Sequence, residues 1–208
     1  MLVLHYTGMH TGRAALERLC DPASGVSAHY LIEEDGTVFS LVDEGRRAWH
    51  AGVSWWRGET DVNSASIGIE LVNPGHEWGY RPFPDEQIAA LTALAKDIVR
   101  RHAIAPSGIT GHSDIAPARK QDPGEWFPWQ RLAEEGIGLW PPAGLPPPDG
   151  DAMAGLPALL ECIGYASGPA PETVQAFHRR FLPENLGRPA DTETLGRACW
   201  LAARCKDS

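Results

Sequence analysis

The sequence predicts an α/β domain, a sheet with helices packed on it, followed by a small unit of three helices. Three observations predict it: strand-like apolar runs through the first half of the chain, one long helical period set among them, and a proline-rich run after which the spacing is helical. Leu2–His5 reads as the first strand. Ser27–Ile32 and Thr37–Val42 flank Glu33-Glu34-Asp35-Gly36, and Asp-Gly between apolar runs is a strong hairpin signal. Ser66–Leu71 alternates with period two, which puts Ile67, Ile69 and Leu71 on one face and Gly68 and Glu70 on the other. Pro84-Asp85-Glu86 followed by Ile88, Leu91, Leu94, Ala95, Ile98 and Val99 predicts a capped amphipathic helix ending near Arg101-His102, before Pro106. Ile109–His112 is the last strand. Mixed helix and strand segments of this kind indicate helices layered on a sheet.

The segment 141–150, with five prolines and two glycines, cannot support a regular hydrogen-bond ladder and predicts a stiff, extended spacer. It divides the chain into a domain over 1–140 and a tail over 151–208, the latter of roughly 60 residues and marginally stable alone. Within the tail, apolar spacing predicts helices near Gly155–Ile163, Glu172–Phe181 and Thr192–Ala203.

Of the 208 residues, 43% are hydrophobic, enough for a packed core. No apolar stretch approaches the roughly 20 residues needed to span a bilayer. A formal net charge of −9 argues against a nucleic-acid partner, which calls for a basic surface. The four cysteines, Cys20, Cys162, Cys199 and Cys205, show no CxxC spacing and are too sparse for a disulfide scaffold, so they read as buried or free thiols. The N-terminus has no basic region, apolar export segment or lipid-attachment cysteine, and the sequence as it stands reads as cytoplasmic.

His5, His112 and Asp122 sit in local contexts suited to holding one zinc ion. His5 emerges from the tip of a strand beside Thr7-Gly8. His112 follows a glycine at the end of a short strand and enters a turn with Asp114 and Pro117. Asp122 precedes Pro123-Gly124, where an Asx-turn is the ordinary reading; Lys120, at i and i+2 with it, shares its face. Two imidazoles and a carboxylate leave a tetrahedral zinc one open position, as catalytic sites require. Glu70, opposite the isoleucines of its strand, is placed to move a proton, and Lys120 to steady an oxyanion. Asp114 reads as the cap of the turn after His112, or as a carboxylate orienting its ring. Trp49, Trp55 and Trp56 suit a groove wall for a sugar or peptide, with core packing claiming one or two. His29 and His50 are assigned to the same cleft. His10, His76, His102 and His178 have surface readings.

These segments resemble one family in order. Leu4-His5-Tyr6-Thr7, Val26–Ile32, Arg47-Ala48-Trp49-His50-Ala51-Gly52, Ser66–Leu71, Gly111–Pro117 and Arg119–Gly124 are similar to blocks of the type-2 zinc N-acetylmuramoyl-L-alanine amidases, over roughly residues 2 to 140. The resemblance implies a mixed central sheet flanked by helices, with one zinc at the floor of a groove. It implies His5, His112 and Asp122 as ligands, Glu70 as catalytic carboxylate and Lys120 as oxyanion stabiliser. The aspartate at 122, where phage-type members carry cysteine, points to the bacterial branch. The tail resembles a three-helix peptidoglycan-binding domain.

The implied activity is hydrolysis of the amide between N-acetylmuramic acid, or its anhydro form, and L-alanine of peptidoglycan stem peptides, in wall turnover or recycling. The partners are then peptidoglycan fragments or the sacculus, with Arg47 and Arg57 joining His29, Trp49 and His50 as substrate contacts. A binding module that holds muropeptides without cutting them is the alternative. The tailed architecture resembles periplasmic or outer-membrane lipoprotein forms, which sets the alternative location against the cytoplasmic one.

Overall fold

The computed structural model describes residues 1–146, 152–167 and 171–206. Its centre is a five-stranded sheet built from β1 (Leu2–Tyr6), β2 (Tyr30–Ile32), β3 (Val38–Ser40), β4 (Ile67–Leu71) and β5 (Ile109–Gly111), in the order β3-β2-β4-β1-β5. β2, β4, β1 and β5 run parallel, and β3 is antiparallel to β2 across the expected Asp35-Gly36 turn. The observed strands fall inside or within a residue of the predicted segments. Side-chain alternation sorts the two faces. Leu2, Leu4, Ile67, Ile69 and Leu71 enter one apolar core, and Val3 enters another on the opposite face.

The helices are α1 (Gly12–Cys20), α2 (Val62–Ala65), α3 (Gly75–Trp78), α4 (Asp85–His102), α5 (His112–Ile115), α6 (Trp129–Glu134), α7 (Leu156–Ile163), α8 (Pro171–Phe181) and α9 (Thr192–Cys205). α4 covers the first face of the sheet with Ile88, Leu91, Ala95 and Ile98, the stripe the periodicity predicts. Its start differs from the expected side-chain cap: Pro84 makes no capping hydrogen bond. Asp85 and Glu86 in the first turn and Arg100, Arg101 and His102 in the last complement the helix dipole instead. The nine-residue α1 and the short helices α2, α3, α5 and α6 were not anticipated.

All three expected tail helices form. They pack on the second face of the sheet through a core that joins Leu160, Ile163, Phe177, Phe181, Ala198 and Leu201 to Val3, Ala51, Trp56, Val62 and Ile115. Of the predicted spacer, residues 147–150 lie outside the described residues. The four cysteines are free thiols. No helix among the described residues is long and apolar enough to cross a membrane.

Candidate active site

The parallel strands deliver their carboxyl ends to one place, the usual location of sites in open α/β sheets. His5 on β1 and Glu70 on β4 are register partners. His112 begins α5 directly after β5. Asp122 is brought in by the loop beyond α5, where the Ser113 N–H donates to the Asp122 carbonyl at 2.8 Å. Gly111 makes this approach feasible, because a Cβ there would stand 2.7 Å from Cδ of Pro123. The Asp122–Pro123 peptide bond is cis.

His5 Nδ1, His112 Nδ1 and Asp122 Oδ2 lie 2.9–3.0 Å from one another, and all three residues are buried. The surrounding hydrogen bonds decide what these atoms carry. The Ser66 hydroxyl donates to the Val62 carbonyl at 2.5 Å, so its oxygen accepts from His50 Nε2–H at 3.4 Å. His50 Nδ1 is then an acceptor for His5 Nε2–H at 3.0 Å, which leaves His5 Nδ1 with a bare lone pair. On the other imidazole, His112 Nε2–H donates to the Ala51 carbonyl at 2.9 Å, and its Nδ1 is bare as well. Two imidazole lone pairs and a carboxylate oxygen face one point. That donor set, at spacings close to the about 3.3 Å edge of a tetrahedron with ~2.0–2.1 Å bonds, fits zinc.

The electrostatics agree with that geometry. Burial, reinforced by the neighbouring His112, pushes His5 down to about 4, so it is a neutral donor at pH 7. Burial alone would raise the Asp122 carboxyl; a proton on Nδ1 of His112 or His5, in the place a cation would take, holds it well below the usual carboxylate range. Glu70 goes the other way. Burial raises it well above its ordinary value, the Asp122 charge adds to that, and Lys120 opposes it. Among the described residues its Oε2 is buried without a hydrogen-bond partner, while the residue lines the groove.

That groove encloses about 560 Å³ and is lined by Tyr6, Trp49, His50, Glu70, His112, Arg119, Lys120 and Asp122, among others. Of the proposed substrate contacts, Trp49 stands on it 54% exposed, with the Arg47 guanidinium 4.2 Å over its ring. Arg47 is itself held by Asp61 at 2.6 Å and Ser64 at 2.7 Å. His29 is wholly buried: its Nδ1 accepts the Gly68 N–H and its Nε2–H donates to the Arg46 carbonyl, so it knits the sheet to the loop. Arg57 does not line the groove; it donates to Ser107 and to the Cys205 carbonyl at the end of α9. Trp56 belongs to the core, edge-on to Tyr165. His178 is buried and bonded to Thr194, not a surface residue.

Asn63 had no signal in the sequence, yet it holds this loop. Its Oδ1 accepts the N–H groups of His50 and Ala51 at 2.9 and 2.8 Å, fixing the ring that orients His5 and the carbonyl that orients His112. Asp114 acts as the cap that was expected, accepting the Gly111 N–H at 2.8 Å. The ring-orienting part of the expectation falls to Ala51.

The model of the N-acetylmuramoyl-L-alanine amidase family (Amidase_2) matches residues 1–125, and the chain belongs to that family. It is 40% identical to N-acetylmuramoyl-L-alanine amidase AmiD of Escherichia coli K12, over 93% of this chain and 79% of that one. The structure of E. coli AmiD in complex with the substrate anhydro-N-acetylmuramic acid-L-Ala-D-γ-Glu-L-Lys superposes with a TM-score of 0.87 at 39% identity, covering 98% of this chain and 88% of that one. AmpDh3 of Pseudomonas aeruginosa gives the same TM-score at 34% identity, with 98% and 91% covered. The 1,6-anhydro-N-acetylmuramyl-L-alanine amidase AmpD of Enterobacter cloacae is 44% identical over 51% of this chain and 55% of its own.

Proposed function

We propose that this enzyme hydrolyses the amide between the lactyl group of N-acetylmuramic acid, or its anhydro form, and L-alanine of a peptidoglycan stem peptide, with one zinc per chain. The observation that carries the reading is the convergence of two bare imidazole nitrogens and a buried carboxylate beside an unpartnered glutamate in a groove. His5 Nδ1, His112 Nδ1 and Asp122 Oδ2 would hold the metal. Zinc so held supplies Lewis acidity, bringing the pKa of a water towards ~7 and polarising a carbonyl.

Glu70 takes the proton of the attacking water at its free Oε2. Burial favours its protonated form, and Glu70 delivers that proton to the L-alanine nitrogen as the C–N bond breaks. Lys120 lines the same groove and feels both Glu70 and His5, which suits it to steady the negative charge on the lactyl oxygen. Trp49, braced by Arg47, offers a flat apolar face to the sugar or its substituents. Every residue assigned here to hold the metal, move the proton or meet the substrate precedes 141, so we place the catalytic unit at 1–140 and the helical unit at 151–208. At −9 the chain gains no long-range attraction for carboxylate-bearing fragments, and recognition is local.

Metal analysis of the purified chain, with mass spectrometry after incubation with defined muropeptides, tests the reading. One zinc per chain and release of the intact stem peptide are expected. Glu70→Gln should retain zinc and lose about 10²–10⁴-fold in kcat. A metal-free chain that stays inert after zinc is supplied, or a Glu70→Gln variant with full turnover, contradicts it.

A further inference from the structure

Next to the metal centre lies a buried cluster that the reaction leaves unused. Asp114, two residues after His112, is reached from three directions. Its Oδ2 accepts the Gly111 N–H at 2.8 Å and Arg180 Nη1 at 2.6 Å, and its Oδ1 accepts the Tyr165 hydroxyl at 2.8 Å. Arg180 Nη2 donates to the Ile109 carbonyl on β5 at 2.8 Å, and the guanidinium lies 4.1 Å over the Trp129 ring. The side chains of Arg180 and Asp114 are 3% and 0% exposed. None of these residues lines the groove.

The two halves of this cluster come from different parts of the chain. Tyr165 and Arg180 belong to the helical unit, from just beyond α7 and from α8. Ile109, Gly111 and Asp114 belong to the strand and the turn that carry His112. A planar guanidinium has a fixed fork, and here its two prongs bridge a strand carbonyl and a carboxylate. The carboxylate in turn holds the N–H of the residue immediately before His112. Strand end, turn and ligand backbone are therefore tied to one rigid group in a medium of low dielectric, where an unpaired partner is strongly disfavoured.

We infer that Arg180 and Tyr165 are positioning residues for His112, and that through Asp114 the helical unit is a working part of the metal centre rather than only an appended module. The inference rests on the metal-centre reading above.

The test uses the full chain. Arg180→Lys keeps the charge and loses the fork; Tyr165→Phe removes one hydroxyl at nearly constant volume. Phe177→Leu, in the same core but touching neither Asp114 nor Arg180 by hydrogen bond, serves as the control for lost packing. Zinc affinity by chelator competition, the visible spectrum of the cobalt-substituted protein and the melting temperature of the metal-free protein are read for each. Arg180→Lys and Tyr165→Phe should weaken zinc binding about 3–10-fold, short of the 10–100-fold typical of a direct partner of a ligand, and should alter the cobalt spectrum. Phe177→Leu should lower the melting temperature and leave both readings as in the parent.

Parental zinc affinity and an unaltered spectrum in Arg180→Lys and Tyr165→Phe overturn the inference, as does an equal weakening in Phe177→Leu. If Arg180→Lys does not fold, Tyr165→Phe decides by the same readings. A parent chain with no zinc affinity removes the metal-centre reading itself and the inference with it, whereas a zinc-binding parent with indifferent variants removes the inference alone.

Discussion

The ring of His50 fills the space that a side chain at position 68 would need: a Cβ on Gly68 would lie 2.4–2.7 Å from three of its ring atoms. Since His50 sets the tautomer of His5, a methyl group there would act on the proposed metal site without touching any of the three residues that would hold the ion. Gly68→Ala is expected to cost about 1–3 kcal/mol of stability from overpacking. It should also weaken zinc about 10-fold or more by displacing His50, which chelator competition beside a melting curve would read. Unchanged zinc affinity would mean that His50 is not needed to orient His5. At this scale His5, Glu70, His112, Lys120 and Asp122 could be singled out as candidates because each has a chemical type and a local context that say something by themselves, and the fold brings His5, His112 and Asp122 together. Asn63 and the orienting role of His50 were not, because they exist only once residues 13 and 45 positions apart meet. Arg57 shows the reverse error: a cation beside tryptophans looks like a groove residue until the fold draws it to Ser107 and α9.

Among the elements, β1, β4 and α4 were readable from period alone, since each buries a full stripe or face. α1 was missed although Thr11 caps it, accepting the Ala14 N–H at 3.2 Å, because nine residues give little periodicity. One contact between elements has a definite pH signature. Glu44, in the loop after β3, accepts the Tyr30 hydroxyl of β2 at 2.6 Å and is gripped by Arg101 and His102 in the last turn of α4. The Arg101 hydrogen bonds above all, with help from Tyr30 and His102 against partial burial, hold its carboxyl down at about 2. The folded value lies below the ordinary 4.5, so between them the unfolded chain binds more protons. The contribution is present above about 4.5 and is lost as pH falls towards 2. Glu44→Gln should therefore lower the melting temperature at pH 7 and flatten its decline across that acid window. A variant whose acid limb parallels the parent's would show that Glu44 is not the group responsible.

At the scale of the whole molecule, composition and packing divide the chain differently. The proline-rich run at 141–150 is conspicuous in the sequence because its composition breaks the succession of helix and strand periods. The surface that the chain comes back to cover carries no comparable mark. Val3, Ala51, Trp56 and Ile115 on one side and Leu160, Phe177, Phe181 and Leu201 on the other form one apolar core, and neither set is screened from water without the other. A core held in common couples the unfolding of the two parts, so heating should give one calorimetric transition rather than two. Phe177 is wholly buried in that core, and Phe177→Ala should cost about 3–5 kcal/mol. For a chain of this size that lowers the single transition by about 10 °C. The far-ultraviolet signal of the sheet and the fluorescence of Trp56 should move with it. Two resolved transitions, with the mutation shifting only the lower, would mean that the helical unit opens by itself and that the common core is not cooperative.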